Sequence, residues 1–278
     1  MLIRVYEPFI QRIGSRVRIF WTVTITLLIF LIAVPKHSEP IGNQKQLSFL
    51  TPRLITLIQY RLTGNFGIHI PTMYSVHGID ISRYQQKINW TKLKAVDHEG
   101  VSVSFIYIKA TEGLDALDPM FATNWQESRK AGFLRGAYHY FKPKKPGKEQ
   151  AEFFLKNVQH LPGDLPPVID VEERGKMPLK QFHSNLKSMI TAIEDEVGVK
   201  PVIYTSLRFY QDFIKPKFPD YPCWIANYHH PKLLFTDEKW TLWQHSDKGK
   251  IDGIIGRVDF NTFNGSLTDL KKMCVKDL

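Results

Sequence analysis

Two acids separated by one residue stand in an otherwise apolar run, Val168-Ile169-Asp170-Val171-Glu172. Side chains alternate faces along a strand, so Asp170 and Glu172 share one face, about 6.6 Å apart along the backbone. Carboxylates turned into an apolar interior are costly unless they are used. At the C-terminal end of a barrel strand they would stand where active sites form. Asp80 in Gly78-Ile79-Asp80-Ile81-Ser82 and Asp259 in Arg257-Val258-Asp259-Phe260-Asn261 have the same kind of address. Each acid taken alone reads equally well as a strand-end cap or an ion-pair partner. Four at strand ends are harder to explain that way. Aromatic and amide side chains stand at other strand ends: Tyr138, Tyr140, Tyr204, Trp224, Asn227, Tyr228, Trp243 and Gln244. Flat rings beside hydrogen-bonding groups suit pyranose sugars, while core packing accounts for at least half of such rings. His139, His229, His230 and His245 lie on separate segments without ligand spacing, and no CxxC exists, so neither metal nor cofactor is expected. Ser, His and Asp occur, but no GxSxG elbow does.

The elements that must position these residues alternate. Strands are expected at Val76–Ser82, Val103–Ala110, Leu134–Phe141, Pro167–Glu172, Pro201–Ser206, Cys223–Tyr228, Trp240–Ser246 and Arg257–Thr262. Helices are expected over Asn89–His98, after an Asp118 cap with Pro119 at the first position and Gly132 as stop, over Lys148–Val158, over Pro178–Val197, and briefly through Phe213. Strand–helix alternation argues for a parallel α/β sheet. Eight strands with about five helical crossovers point to a closed, TIM-like barrel short of helices at its end. The first and last strands would then be neighbours, with Asp80 beside Asp259. An open doubly wound sheet is the alternative, but no GxGxxG follows the first strand.

The chain has 278 residues, 43% of them hydrophobic and 23% charged, which excludes a disordered chain, a collagen-like fibre and a small disulfide scaffold. The net charge of +10 is uneven: residues 1–64 hold 8 basic and 2 acidic residues, leaving only +4 on the rest. A basic stripe for nucleic acid is therefore not expected, whereas +4 is compatible with an anionic polymer as substrate. Cys223 and Cys274 could pair only if their backbones come close, which the sequence leaves open.

Ile19–Val34 is a 16-residue run without a charge, preceded by Arg4, Arg12, Arg16 and Arg18, with Trp21 near one end. It predicts a membrane anchor with a cytoplasmic basic segment (1–18) and everything after Val34 on the extracytoplasmic face. A cleaved signal peptide competes, but Leu31 spoils a small-x-small cleavage site before the end of the run. Residues 35–75 read as a connector, with an amphipathic helix expected over 52–62 and Gly64 as its stop. The domain proper is expected at 76–278.

Taken in order, the motifs resemble the glycoside hydrolase family 25 muramidases, the Chalaropsis-type lysozymes. The resemblance rests on His77-Gly78-Ile79-Asp80-Ile81-Ser82-Arg83-Tyr84-Gln85 with Ile88 and Trp90, then Ile106-Tyr107-Ile108-Lys109-Ala110-Thr111-Glu112-Gly113. Gly136-Ala137-Tyr138-His139-Tyr140, the Asp170-Val171-Glu172 pair, Trp224-Ile225-Ala226, Trp243-Gln244 and Gly253 through Phe263 continue it. It implies a barrel of eight strands and five helices that cuts the β-1,4 bond between N-acetylmuramic acid and N-acetylglucosamine in peptidoglycan. It implies Glu172 as general acid, with Asp170 raising its pKa by like-charge repulsion. Same-face neighbours do not place acids on opposite sides of a sugar, so substrate assistance is favoured: the N-acetyl oxygen attacks while Asp170 orients the amide. Asp80 and Asp259 would bind substrate and tune the pair. A non-catalytic glycan-binding protein on this fold and a chitinase-like N-acetylhexosamine hydrolase are the other readings. The expected partners are peptidoglycan strands and the membrane, with the chain a monomer.

Overall fold

The structure is a computed structural model and describes residues 60–71, 73–228 and 238–277, which belong to one compact unit. Its first elements, β1 (Tyr60–Thr63) and β2 (Ile68–Pro71), form an antiparallel hairpin. This corrects the expected connector: Tyr60–Thr63 is strand where a helix over 52–62 would end, and Gly64 belongs to the hairpin turn. Residues 52–59 lie outside the described residues. Buried Ile68 and Ile70 alternate with exposed His69, the period of a strand. The turn closes through the amides of Phe66 and Gly67, both donating to the Thr63 carbonyl. Phe66 is buried against Phe260, ring centres 5.1 Å apart, so the hairpin is fastened to the main sheet.

The main sheet contains β3 (His77–Ile81), β4 (Val103–Glu112), the two-residue β5 (Ala116–Leu117), β6 (Leu134–Tyr140), β7 (Val168–Asp170), β8 (Val202–Ser206), β9 (Cys223–Ala226), β10 (Leu242–Gly249) and β11 (Val258–Phe263). Strands β3, β4, β6, β7, β8, β9, β10 and β11 pair in that order, and β11 pairs back onto β3, closing an eight-stranded barrel. β5 adds an antiparallel edge to the end of β4. β11 runs antiparallel to both neighbours, because no helix intervenes after β10 to carry the chain back.

Among the described residues, α1 (Trp90–Lys94), α2 (Phe121–Lys130), α3 (Gly147–Asn157), α4 (Leu179–Val197) and α5 (Leu267–Lys272) pack outside or below, and a short helical segment, Leu207–Phe209 continued by Tyr210–Ile214, follows β8 as expected. Asn89 caps α1 by accepting from the Lys92 amide, and Gly198 ends α4 in the left-handed region at φ 75°. The expected cap of α2 is displaced. Asp118 accepts from the amides of Met120 and Arg83, tying two rim loops together, and the helix begins at Phe121.

Strand alternation divides the core in two. Phe105, Tyr107, Val168, Val202, Trp224 and Leu242 fill the barrel, which Leu270 and Cys274 close from below. Ile79, Ile106, Ile169, Ile203 and Ile225 face outward into the layer that holds Phe154, Leu186 and Ile190 of the helices. Gly78 and Gly136 point inward, where a Cβ would collide with the rings of Phe105 and Tyr107. Cys223 and Cys274 are both free, one outside the barrel wall and one inside. Among the described residues no helix is long and apolar enough to cross a membrane; the run Ile19–Val34 lies outside them.

Candidate active site

The parallel strands β3 to β10 send their C-terminal ends to one rim, where β11 begins. Barrel active sites form at such a rim. Asp80 and Asp259 lie directly opposite each other in the β3–β11 register, so each carboxyl acts on the other's titration. Two buried carboxyls side by side disfavour double ionisation, so the pair is best held with one proton. Burial raises both carboxyls; Asp259 is raised further, because the Asp80 charge adds to its burial, and so it holds the proton. Asp80 Oδ2 also accepts from Gln244 Nε2 at 2.8 Å and Asn261 Nδ2 at 2.7 Å, which favour its ionised form. The amides are fixed in turn. Gln244 Oε1 accepts from the hydroxyls of Tyr204 (2.7 Å) and Tyr228 (2.6 Å), and Asn261 Oδ1 accepts from Trp224 Nε1 (2.9 Å).

Across the rim the second pair is bound differently. Asp170 ends β7, flanked by Tyr140 of β6 and Tyr204 of β8, and its backbone is locked by bonds to both neighbouring segments. Its side chain is buried, yet Oδ1 has no hydrogen-bond partner. Desolvation, and then the Glu172 charge, raise its pKa well above the usual carboxylate range. Glu172 lies two residues on, past the strand end and exposed to solvent. Its pKa is raised by desolvation beside the rim, against the pull of Lys109 and Lys142. The expected direction holds, but the cause differs: partial desolvation raises Glu172 first, with the Glu173 and Glu112 charges adding to it, while the repulsion within the Asp170–Glu172 pair is felt by Asp170.

Asp80, Tyr138, Asp170, Glu172, Tyr204, Trp224, Gln244 and Asp259 line one cavity of about 100 Å³. A wider cavity of about 630 Å³ adjoins it over β8 and β9, sharing Glu172 and Tyr204 and adding Asn227 and Tyr228. On the other flank, Glu112 Oε2 and Oε1 accept from Lys109 Nζ (2.8 Å) and pair with Lys142 Nζ (3.0 Å). Both ammonium groups stand over the Tyr140 ring, at 5.1 and 4.4 Å from its centre.

The family model for glycosyl hydrolases family 25 matches residues 79–254, the span that builds this rim. The chain belongs to glycosyl hydrolase family 25. Protein YegX of Escherichia coli O157:H7 is 44% identical over 212 residues, covering 76% of this chain and 78% of that protein. Lysozyme M1 of Streptomyces globisporus is 33% identical over 217 residues, covering 70% of each. The solved structure of a family 25 glycosyl hydrolase from Bacillus anthracis superposes with a TM-score of 0.67 at 31% identity, covering 76% of this chain and 98% of that one.

Within this family 25 barrel, the four acids expected from the sequence do converge, as do Tyr138, Tyr204, Trp224 and Gln244. Asn227 and Tyr228 fall in the adjoining cavity. Tyr140 sits beneath the two lysines beside Asp170. Trp243 is the exception. Gln244 points into the barrel, so its neighbour must point out, and Trp243 packs with Tyr74, Trp240 and His245 while donating to the Asn227 carbonyl. It is not a sugar platform. His139 also faces outward; its ring contacts Thr111 Oγ1 and Gln150 Oε1, and burial lowers its pKa to about 4, so it is a neutral core residue. His229 and His230 lie outside the described residues, among which no group of acids, histidines and cysteines could hold a metal ion. The sequence reading missed Asn261, Lys109 and Lys142. Asn261 had a signal, since it lies two positions after Asp259 and therefore on the same strand face.

Proposed function

We propose that this chain is a peptidoglycan muramidase that hydrolyses the β-1,4 bond between N-acetylmuramic acid and N-acetylglucosamine, with Glu172 as general acid. The observation that carries the reading is Asp170: a buried carboxyl with an unpartnered oxygen, beside a solvent-facing glutamate. A sugar acetamide N–H would meet Oδ1 of Asp170. That bond favours the ionised aspartate, and the sugar covering Glu172 favours the neutral acid, so substrate binding moves the proton to Glu172. Glu172 then protonates the leaving oxygen as the C1–O bond breaks. The acetamide oxygen closes onto C1, and Asp170 stabilises the positive charge that develops on the amide. Water adds to C1, giving its proton to Glu172 and reopening the ring, which restores the free site with retained configuration. Asp80, held by Gln244 and Asn261, and Asp259 beside it shape the floor and bind sugar hydroxyls. Tyr138, Tyr140, Tyr204, Trp224, Asn227 and Tyr228 flank the strand.

The test uses the full chain in detergent with purified peptidoglycan. New ends are reduced with borohydride and identified by mass spectrometry. Muramitol ends are expected. Glucosaminitol ends would move the cut to the other glycosidic bond, and no new ends with retained polymer binding would leave a glycan-binding module. We further propose that Ile19–Val34 anchors the chain with its catalytic domain outside the membrane, from its uncharged length and arginine-rich leading flank. Retention in membranes after an alkaline carbonate wash is expected. A soluble product starting beyond Val34 would mean a cleaved leader instead.

A further inference from the structure

A third cavity, of about 420 Å³, opens on the flank opposite Tyr228, between the loops that follow β4, β6 and β7. Lys142, Lys144, Lys145 and Arg174 line it. It also touches the reactive pair, because Glu173 on its wall follows Glu172 directly and Lys142 acts on the charge of Glu172. Its charges do not cancel internally. Glu112 is matched by Lys109 and Lys142, and Glu173 lies 3.8 Å from Lys142. Lys144 and Lys145 are exposed and have no acidic partner within salt-bridge reach among the described residues. Arg174 donates to the Met177 carbonyl and stands over the Phe213 ring at 5.2 Å, and its buried Nε has no hydrogen-bond partner. Among the residues lining the cavity, Asp115 is the acid left to oppose Lys144, Lys145 and Arg174.

We propose that this cavity is a specificity site for the carboxylates of the short peptide that peptidoglycan carries on its muramic acid lactyl group. The inference rests on the muramidase reading and deepens it. A glycan strand laid across the rim from β9 to β4 has neutral sugars at its centre, where tyrosines and amides wait. Its anionic groups belong to the peptide branches, and the unmatched cations are gathered on one flank only. Exposed ammonium groups attract carboxylates weakly one at a time, and additively when they line one cavity. The site therefore selects peptide-bearing strands over bare ones and fixes which sugar of the strand meets Glu172.

The experiment compares two substrates free of phosphate polymers: peptidoglycan strands with intact peptides, and the same strands stripped of peptide by an amidase. Initial rates are measured for the full chain and for the Lys144→Glu/Lys145→Glu double variant. For the wild-type chain, kcat/KM is expected to favour peptide-bearing strands. In the double variant that preference should fall by about tenfold, through KM, as expected for two lost ion pairs and two new repulsions. Added salt should shrink the wild-type preference toward that of the variant. Equal effects on both substrates, or no effect on either, would overturn the peptide site and leave the muramidase standing. Cleavage of neither substrate by the wild-type chain would overturn both.

Discussion

The two halves of the rim hold the same chemical groups in opposite conditions. On the β3–β11–β10 side, Asp80 takes two amide hydrogen bonds and shares a proton with Asp259, and the amides are braced by Tyr204, Tyr228 and Trp224. On the β7 side, Asp170 is buried with an oxygen unpartnered and Glu172 stands in solvent. A satisfied network stabilises one geometry. An unsatisfied group stores the cost of its burial until a ligand supplies the missing bond. The braced side is therefore a template, and the unbraced side is where reaction chemistry is concentrated.

Four substitutions would break or sharpen that contrast. Glu172→Gln should lower turnover by about a thousandfold, within the range for loss of a general acid, and should leave the melting temperature nearly unchanged because the side chain is exposed. Activity above a few per cent would remove Glu172 from its role. Asp170→Asn should cost about a hundredfold in kcat, the scale of one lost electrostatic stabiliser. Its effect on stability has the opposite sign. The folded pKa of Asp170 is raised, so its contribution is intact below the ordinary carboxylate range and is lost as pH rises through the folded value. The variant should therefore gain stability over the native chain as melts are taken upward in pH from the ordinary carboxylate range.

On the braced side the order reverses, with stability affected more than rate. Gln244→Leu removes a donor to Asp80 and the acceptor of two tyrosine hydroxyls. It should cost about 2–3 kcal/mol in urea unfolding, the penalty for stranding buried polar groups, and less than about tenfold in kcat. A larger loss of rate than of stability would make the network itself reactive. The smallest effect is expected from Lys109→Met. Lys109 is the strongest influence holding the raised Glu172 pKa down, so its removal should move the alkaline limb of the pH–rate profile to higher pH. A shift to lower pH, or none, would show that Lys109 does not act on Glu172.

Much of this was legible in residue order. Period-two alternation placed Asp170 and Glu172 on one face, and the count of strand–helix units implied closure, which in turn made Asp80 and Asp259 neighbours. Local pattern failed at the described end of the expected helix, where Tyr60–Thr63 is a strand; residues 52–59 lie outside the described residues. It failed again at Trp243, because composition marks a ring as useful without saying which way it points. One position of register decided that Gln244 faces the acids and Trp243 the outer layer.

The sequence by itself determined the eight strands, the four acids and the run of uncharged residues before them, because strand period and hydropathy are local properties of the chain. Only the tertiary structure decided which carboxyl is braced and which is left unpartnered, and which flank collects unmatched lysines. Those depend on partners from distant segments: Gln244 and Asn261 meet Asp80 from 164 and 181 residues away. Hydrogen bonds and desolvation depend on distance in space, which closure of the barrel sets.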